Sequence, residues 1–220
     1  LINQMDSQID IERFRISSIE PNLLNDKIIE FCFQSKKFMP HFHIPLQSGS
    51  NKMLKSMKRR YTSQEYSDRL NKIKSLDQDA CIGVDVIVGY PTESEEDFFE
   101  TYNFLKNHDV SYLHVFTYSE RENTKAIKLE PVVPYEERSR RSKILRELSD
   151  QKRVNFYERF VGQIRPVLIE KSKNGILFGY TDNYIKTRIQ GHISLENTIQ
   201  NVFISEAKLG YVESEVVSIN

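Results

Sequence analysis

From residue 14 to residue 120 the chain alternates between short apolar runs and stretches whose apolar residues recur at helical spacing. Phe14 to Ile19 reads as a strand, and Asp26 to Ser35 as a helix with Asn25 as its cap. His41 to Leu46 is the next strand, and Ser50 caps a short helix running to Lys58. Thr62 and Glu65 have the spacing of a capping box, in which each side chain satisfies a free backbone N–H of the first turn. Behind them Tyr66, Leu70, Ile73 and Leu76 form an apolar stripe. Ile82 to Val88 is a third strand, rich in β-branched residues. Ser94 to Lys106 is a helix with Glu95, Glu96 and Asp97 at its positive end, and Tyr112 to Tyr118 is a fourth strand. Strands alternating with helices predict right-handed βαβ crossovers and a parallel sheet. The expected fold class is α/β, with an open arc of a parallel α/β barrel.

After residue 130 the pattern changes. Pro131 and Pro134 introduce a long charged helix from Tyr135 to Phe160. Short strands then follow at Pro166 to Glu170, Ile176 to Tyr180, Tyr184 to Ile189, Val202 to Glu206 and Val212 to Ile219. Asn174-Gly175 between the first two is a hairpin signal. This tail reads as a small all-β barrel of the kind that holds single-stranded RNA. The expected division is 1–134 for the barrel arc, 135–160 for a linking helix and 161–220 for the small β-barrel.

Composition narrows the class. Charged residues make up 28% of the 220 positions and hydrophobic residues 39%, which suits a packed soluble domain. Lys+Arg and Asp+Glu are both 31, so net charge argues neither for nor against a nucleic-acid partner. No apolar run is long enough to cross a bilayer, and no signal-peptide pattern opens the chain, so a cytoplasmic location is expected. Cys32 and Cys81 belong to no CxxC or CxxxC pattern and read as small buried hydrophobes. The chain opens on Leu1 with no start signal before Phe14, which points to a piece of a longer protein.

Functional groups of a parallel α/β barrel gather at the C-terminal ends of its strands. Those ends are polar here: Ser17-Ser18-Ile19-Glu20-Pro21, Gln47-Ser48-Gly49-Ser50, Gly89-Tyr90-Pro91-Thr92-Glu93 and Tyr118-Ser119-Glu120-Arg121. Strand alternation puts Phe42, Ile44 and Leu46 against the helices, and His41, His43 and Gln47 inside. It likewise sends Val84, Val86 and Val88 outward and leaves Gly83, Asp85 and Gly89 inside, where glycines give a ligand room to approach. Asp85 in that setting needs a partner: either a polar ligand, or an interior cation such as Arg15. His41 and His43 have the spacing of metal ligands but no third ligand close in sequence, and satisfied interior histidines are the alternative reading. From Asn51 to Lys74, eight basic residues face only Glu65 and Asp68. That excess suits phosphate contacts, or else is a solvated helix face.

Five runs carry a resemblance in their order and spacing. They are Arg15 to Pro21, Pro40 to Ser50, Met57-Lys-Arg-Arg-Tyr-Thr62, Gly83-Val-Asp-Val-Ile-Val-Gly-Tyr-Pro91 and Leu113-His-Val-Phe-Thr-Tyr-Ser-Glu-Arg121. Together they resemble the radical-SAM methylthiotransferases over nearly the whole chain, and the tail resembles the TRAM domain that closes that family. The last run is most similar to the branch acting on N6-threonylcarbamoyladenosine at position 37 of tRNA; sister branches act on isopentenyladenosine in tRNA or on a ribosomal protein. The resemblance implies S-adenosylmethionine and two 4Fe–4S clusters as cofactors and tRNA as partner. It also implies methylthio transfer to C2 of the adenine, begun by a 5′-deoxyadenosyl radical. Gln47, Ser48 and Asp85 become expected contacts to S-adenosylmethionine, with Glu20, Tyr118 and Arg121 at the rim of the cofactor or substrate site. Arg59, Arg60 and Tyr61 are expected near the RNA. The CxxxCxxC motif is absent, so this chain alone is expected to be inactive and no catalytic residue is singled out. Thr92, Glu122 and Lys125 depart from residues common in the family, in loops only.

Overall fold

A computed structural model describes residues 1–8 and 10–217. Its first part contains helix α1 (Ile2–Asp6), strand β1 (Phe14–Ile16), α2 (Asp26–Gln34), β2 (Phe38–His43), α3 (Asn51–Ser56) and α4 (Ser63–Leu76). β3 (Cys81–Val88), α5 (Glu95–Asn107), β4 (Tyr112–Thr117) and the long α6 (Tyr135–Glu158) follow. The four strands form one sheet in the order β1-β2-β3-β4, and every pairing is parallel.

The alternation predicted for β2 and β3 holds. Phe42, Ile44, Leu46, Val84, Val86 and Val88 are all buried in one core with Leu24, Ile29, Tyr66, Leu70, Phe98 and Leu145 from the helical layer. At about 25 cal/mol per Å² of apolar surface removed from water, that shared face is what fixes strand register. Asn25 caps α2 through a 3.1 Å bond from the Ile28 N–H. Thr62 and Glu65 close the capping box on α4, and Ser94 with Asp97 closes another on α5.

Boundaries differ where backbone geometry overrides the apolar pattern. β1 stops at Ile16 rather than Ile19, because Ser18 takes φ 51 and turns the chain. β2 runs from Phe38 and ends at His43, although the N–H groups of Ile44 and Leu46 still reach Gly83 and Asp85 carbonyls at 2.9 and 3.0 Å. Ser50 precedes α3 without capping it by its side chain; its hydroxyl donates instead to Asp97 at 2.9 Å.

The second part is a closed five-stranded barrel, β5 (Ile164–Lys173), β6 (Ile176–Thr181), β7 (Lys186–Gln190), β8 (Ile199–Lys208) and β9 (Tyr211–Val216), in the order β5-β6-β7-β9-β8. Asn174 and Gly175 both have positive φ, as the expected hairpin turn requires. The strand expected over Val212 to Ile219 is observed to Val216; residues 218–220 lie outside the described ones. Tyr184, expected to open β7, sits in the preceding turn at φ 66.

α6 joins the two parts. Leu145 and Leu148 pack on the sheet, while Phe156, Tyr157 and the following Phe160 enter a second core with Cys81, Tyr112, Ile185, Ile204 and Val212. The barrel therefore seats against the N-terminal ends of the parallel strands. Arg13, just before β1, donates to the Pro166 carbonyl at 3.2 Å, and Asn183 donates to the carbonyl of Asp79, just before β3, at 3.1 Å.

Candidate functional site

The opposite, C-terminal ends of β3 and β4 open into a cleft of about 430 Å³. Met57, Ile87 and Phe116 give it apolar walls, Tyr90 and Tyr118 give it aromatic edges, and Arg59 and Arg121 bring charge. Three of the expected site residues, Arg59, Tyr118 and Arg121, thus meet in one cavity. Glu20 reaches its edge through a 3.0 Å ion pair with Arg59. The Tyr118 hydroxyl and the Arg59 Nε are buried without a hydrogen-bond partner among the described residues. Burial pushes the Tyr118 phenol above its ordinary pKa, so it stays a proton donor at neutral pH. Apolar walls, aromatic edges and two guanidinium groups fit a small ligand that is part aromatic and part polar, such as a nucleoside.

The cleft is braced from behind. Arg138 on α6 donates to the Tyr118 carbonyl at 3.0 Å and to Glu120 at 2.6 Å. Its stem fills the space that a Cβ on Gly89 would occupy, 2.3 Å away. Arg141, one turn later, holds buried Glu93 at 2.6 Å, and Glu93 accepts the Gly89 N–H at 2.7 Å. Burial pushes the Glu93 carboxyl up, against the opposing bonds from Gly89 and Arg141. The loop carrying Tyr90 is thereby fixed to α6.

Several expected contacts lie elsewhere. The Ser48 hydroxyl is fully buried and faces α5, 3.0 Å from the Thr101 hydroxyl, so it cannot touch a ligand in the cleft. Tyr61 is buried too, its hydroxyl donating to the Pro45 and Leu46 carbonyls at 3.1 Å, and has no face free for an RNA base. Gln47 sits at φ 66, paired with Val86 at the sheet's upper end. Asp85 is inside as expected, but its partner is His43 at 2.7 Å and not Arg15. The Arg15 guanidinium lies 3.9 Å over the Tyr184 ring instead. Gly83 makes room for the Tyr112 ring rather than for a ligand, since an added Cβ would stand 2.3 Å from that ring.

The basic stretch is largely neutralised by acids distant in sequence. Lys52 pairs with Asp97, Arg59 with Glu20, Arg69 with Asp26, Lys72 with Glu30 and Lys74 with Asp109. Lys55, Lys58 and Arg60 stay exposed, so Arg60 alone of the three expected RNA contacts is free on the surface. Burial pushes both the Cys32 and Cys81 thiols up to about 12, and the two lie in separate cores, Cys32 beside the sheet and Cys81 at the junction with the small barrel, so they cannot share an iron–sulfur cluster. The residues of this chain do not fit that cofactor.

Two clusters were missed by sequence reasoning. At the junction with the small barrel, Tyr180 and Tyr184 stack at 4.5 Å and 13°, with Arg15 over Tyr184 and the His41 ring 4.2 Å from it. His41 is an interior histidine satisfied at one nitrogen: Tyr112 meets its Nε2 at 2.9 Å, its Nδ1 is buried without a partner among the described residues, and burial followed by the positive charge of Arg15 takes its pKa down to about 3. The second cluster adds His114 to His43 and Asp85 on the sheet face away from the helices. Burial, with His43 next, lowers the His114 pKa, so its imidazole is neutral at pH 7. Applying strand alternation to β4 would have found His114, one position removed from buried Leu113 on the opposite face.

Residues 3–105 match the profile of the Radical SAM superfamily. The threonylcarbamoyladenosine tRNA methylthiotransferase MtaB of Bacillus subtilis (strain 168) is 38% identical over 225 residues, spanning 100% of this chain and 50% of that protein. The chain belongs to the radical SAM methylthiotransferase family. The protein of the same name as the Bacillus subtilis relative in Aquifex aeolicus (strain VF5) is 44% identical across 83% of this chain and 43% of its own length. The tRNA-2-methylthio-N(6)-dimethylallyladenosine synthase of Endomicrobium trichonymphae is 34% identical, over 94% of this chain and 50% of its own. Among solved structures, coproporphyrinogen III oxidase (HemN) from Escherichia coli superposes with a TM-score of 0.53 at 13% identity, over 62% of this chain and 32% of HemN, a likeness of fold alone. The chain spans about half the length of the curated relatives it matches. No helix among the described residues is long and apolar enough to cross a membrane.

Proposed function

We propose that this chain is the cofactor- and tRNA-facing half of a methylthiotransferase that modifies C2 of N6-threonylcarbamoyladenosine 37 in tRNA. The observation that carries this reading is the match of the whole chain to a threonylcarbamoyladenosine tRNA methylthiotransferase. The cleft at the C-terminal strand ends, with its aromatic edges and the guanidinium groups of Arg59 and Arg121, supports it as the place of S-adenosylmethionine. When bound, that cofactor supplies the methyl group and the radical that opens the C–H bond. The chain's own residues hold and orient: Tyr90 and Tyr118 wall the cleft, Arg59 and Arg121 bring positive charge to it, and Arg138 with Arg141 fixes the loops that carry them. Asp85 shares a face of β3 with Ile87 of the cleft wall, two residues further along the strand.

The two 4Fe–4S clusters of the proposed reaction need ligands outside this sequence, so the chain alone does not turn over. The small β-barrel acts as a TRAM-type RNA module in this reading, and the stacked Tyr180 and Tyr184 beside Arg15 supply aromatic faces for unpaired bases. A cytoplasmic location follows from the tRNA substrate.

The test is mass spectrometry of tRNA nucleosides from bacteria lacking their own threonylcarbamoyladenosine methylthiotransferase and complemented with the full-length gene. Return of the 2-methylthio form of threonylcarbamoyladenosine supports the proposal. Methylthiolation of isopentenyladenosine alone, in a strain lacking that enzyme instead, would move the protein to the sister branch.

A further inference from the structure

We propose that His43, Asp85 and His114 form a binding site for one divalent cation of the zinc and cobalt class, on the inner face of the parallel sheet. The three residues come from three adjacent strands, β2, β3 and β4. Asp85 and His114 are direct partners in the β3–β4 register, and His43 pairs with Gly83 two residues before Asp85. One ligand atom from each lies within 4.8 Å of the other two. His43 Nε2 and Asp85 Oδ1 are already 2.7 Å apart. Metal–ligand bonds of about 2.0–2.2 Å in tetrahedral geometry place donor atoms roughly 3.3–3.5 Å apart. Seating a cation therefore means opening the His43–Asp85 contact by less than an ångström and drawing His114 inward by up to about 1.5 Å. His114 has the freedom to do this, because it is exposed while His43 and Asp85 are half-buried.

The surroundings complete the argument. Ser18, at φ 51, places its hydroxyl 3.5 Å from His43 Nδ1, the position from which an outer partner orients a ligating imidazole. The Tyr112 ring packs edge-on against His114 at 5.1 Å, and the two histidine rings are 5.2 Å apart. Arg153, which lies 5.8 Å from the Tyr112 ring, is the charge opposing a cation, and Asp150 balances it at 3.7 Å. Two imidazoles and one carboxylate suit zinc, cobalt or ferrous iron rather than calcium or magnesium, and three protein ligands leave a coordination position open. The inference does not depend on the tRNA reaction, since it rests on side chains outside the cleft.

The test uses the untagged chain, stripped with chelator and titrated with Co2+ while visible absorption is recorded, then back-titrated with Zn2+ by calorimetry. The expected result is one equivalent of Co2+ bound with d–d bands of a low-coordinate site, displaced by Zn2+. His114→Ala, whose exposed position spares the core, should weaken binding at least tenfold, and Asp85→Asn should weaken it similarly. His192→Ala, on the exposed 3-10 turn of the small barrel, should leave it unchanged. Circular dichroism melts without metal establish that each variant is folded. Absence of the bands, or equal affinity in wild type and folded His114→Ala, would overturn the proposal and mean an adventitious ion only.

Discussion

Breaking the buried pair between Arg141 and Glu93 should loosen both the fold and the cleft. The Glu93 side chain is 1% exposed and that of Arg141 5%, and their atoms meet at 2.6 Å. Glu93 has two further ties, the Gly89 N–H at 2.7 Å and its own carbonyl's bond to Arg141 at 3.1 Å. In Arg141→Met the carboxylate would stay buried with only the Gly89 N–H to solvate it. Stranding one partner of a buried pair costs about 3–5 kcal/mol. For a chain of this size that is a fall in melting temperature of roughly 6 to 20 °C. Arg141 also bonds Glu137 and Glu95, but both carboxylates are more exposed and contribute only about 0–1 kcal/mol each. The double variant Glu93→Gln with Arg141→Met removes the stranded charge, and its amide oxygen can still accept the Gly89 N–H. It should recover all but about 1–2 kcal/mol of the loss. Urea unfolding of wild type, both singles and the double, followed by circular dichroism, gives the coupling energy directly. If Arg141→Met costs less than about 1 kcal/mol, or the double simply sums the singles, the account of this pair as the clamp behind the Tyr90 loop is wrong.

Asp97 offers a pH test. Burial alone would raise its carboxyl, but bonds from Lys52, Ser94 and Ser50 prevail and bring it down to about 2. A depressed folded pKa contributes stability that is present above the unfolded value near 3.8 and lost as pH falls through 2. Asp97→Asn should therefore cost about 2 kcal/mol at pH 7, a gap to wild type that closes between pH 4 and pH 2 in urea titrations. Gly83→Ala drives a methyl to 2.3 Å from the Tyr112 ring and should cost about 1–3 kcal/mol of overpacking, read as a lower melting temperature; an unchanged melt would contradict the packing described. Replacing Tyr180 with Ala should weaken binding of single-stranded RNA by roughly tenfold in fluorescence anisotropy, the worth of one base stack, with no change in fold. Equal affinity would remove the tyrosine stack from the RNA surface.

What the sequence alone determined is the part governed by local periodicity. Alternation in β2 and β3 set which side chains face the helices, since the period of two allows a buried strand face only one choice. Thr62 with Glu65 and Asn174-Gly175 were legible because their chemistry is completed within four residues. The family resemblance rested on the order of motifs, which no folding is needed to read. Tertiary structure decided everything that depends on partners far apart in the chain. Five of the eight basic residues from Asn51 to Lys74 are paired with Glu20, Asp26, Glu30, Asp97 and Asp109, none of them within that stretch. Ser48 and Tyr61 stand where motif position suggested contact with ligand, yet their hydroxyls are taken by Thr101 and by the backbone of residues 45 and 46. His43 lacked a third ligand in its own segment, and only the parallel register brings Asp85 and His114 beside it. Pairing across strands is set by which faces can be buried together, and one-dimensional spacing carries no record of that.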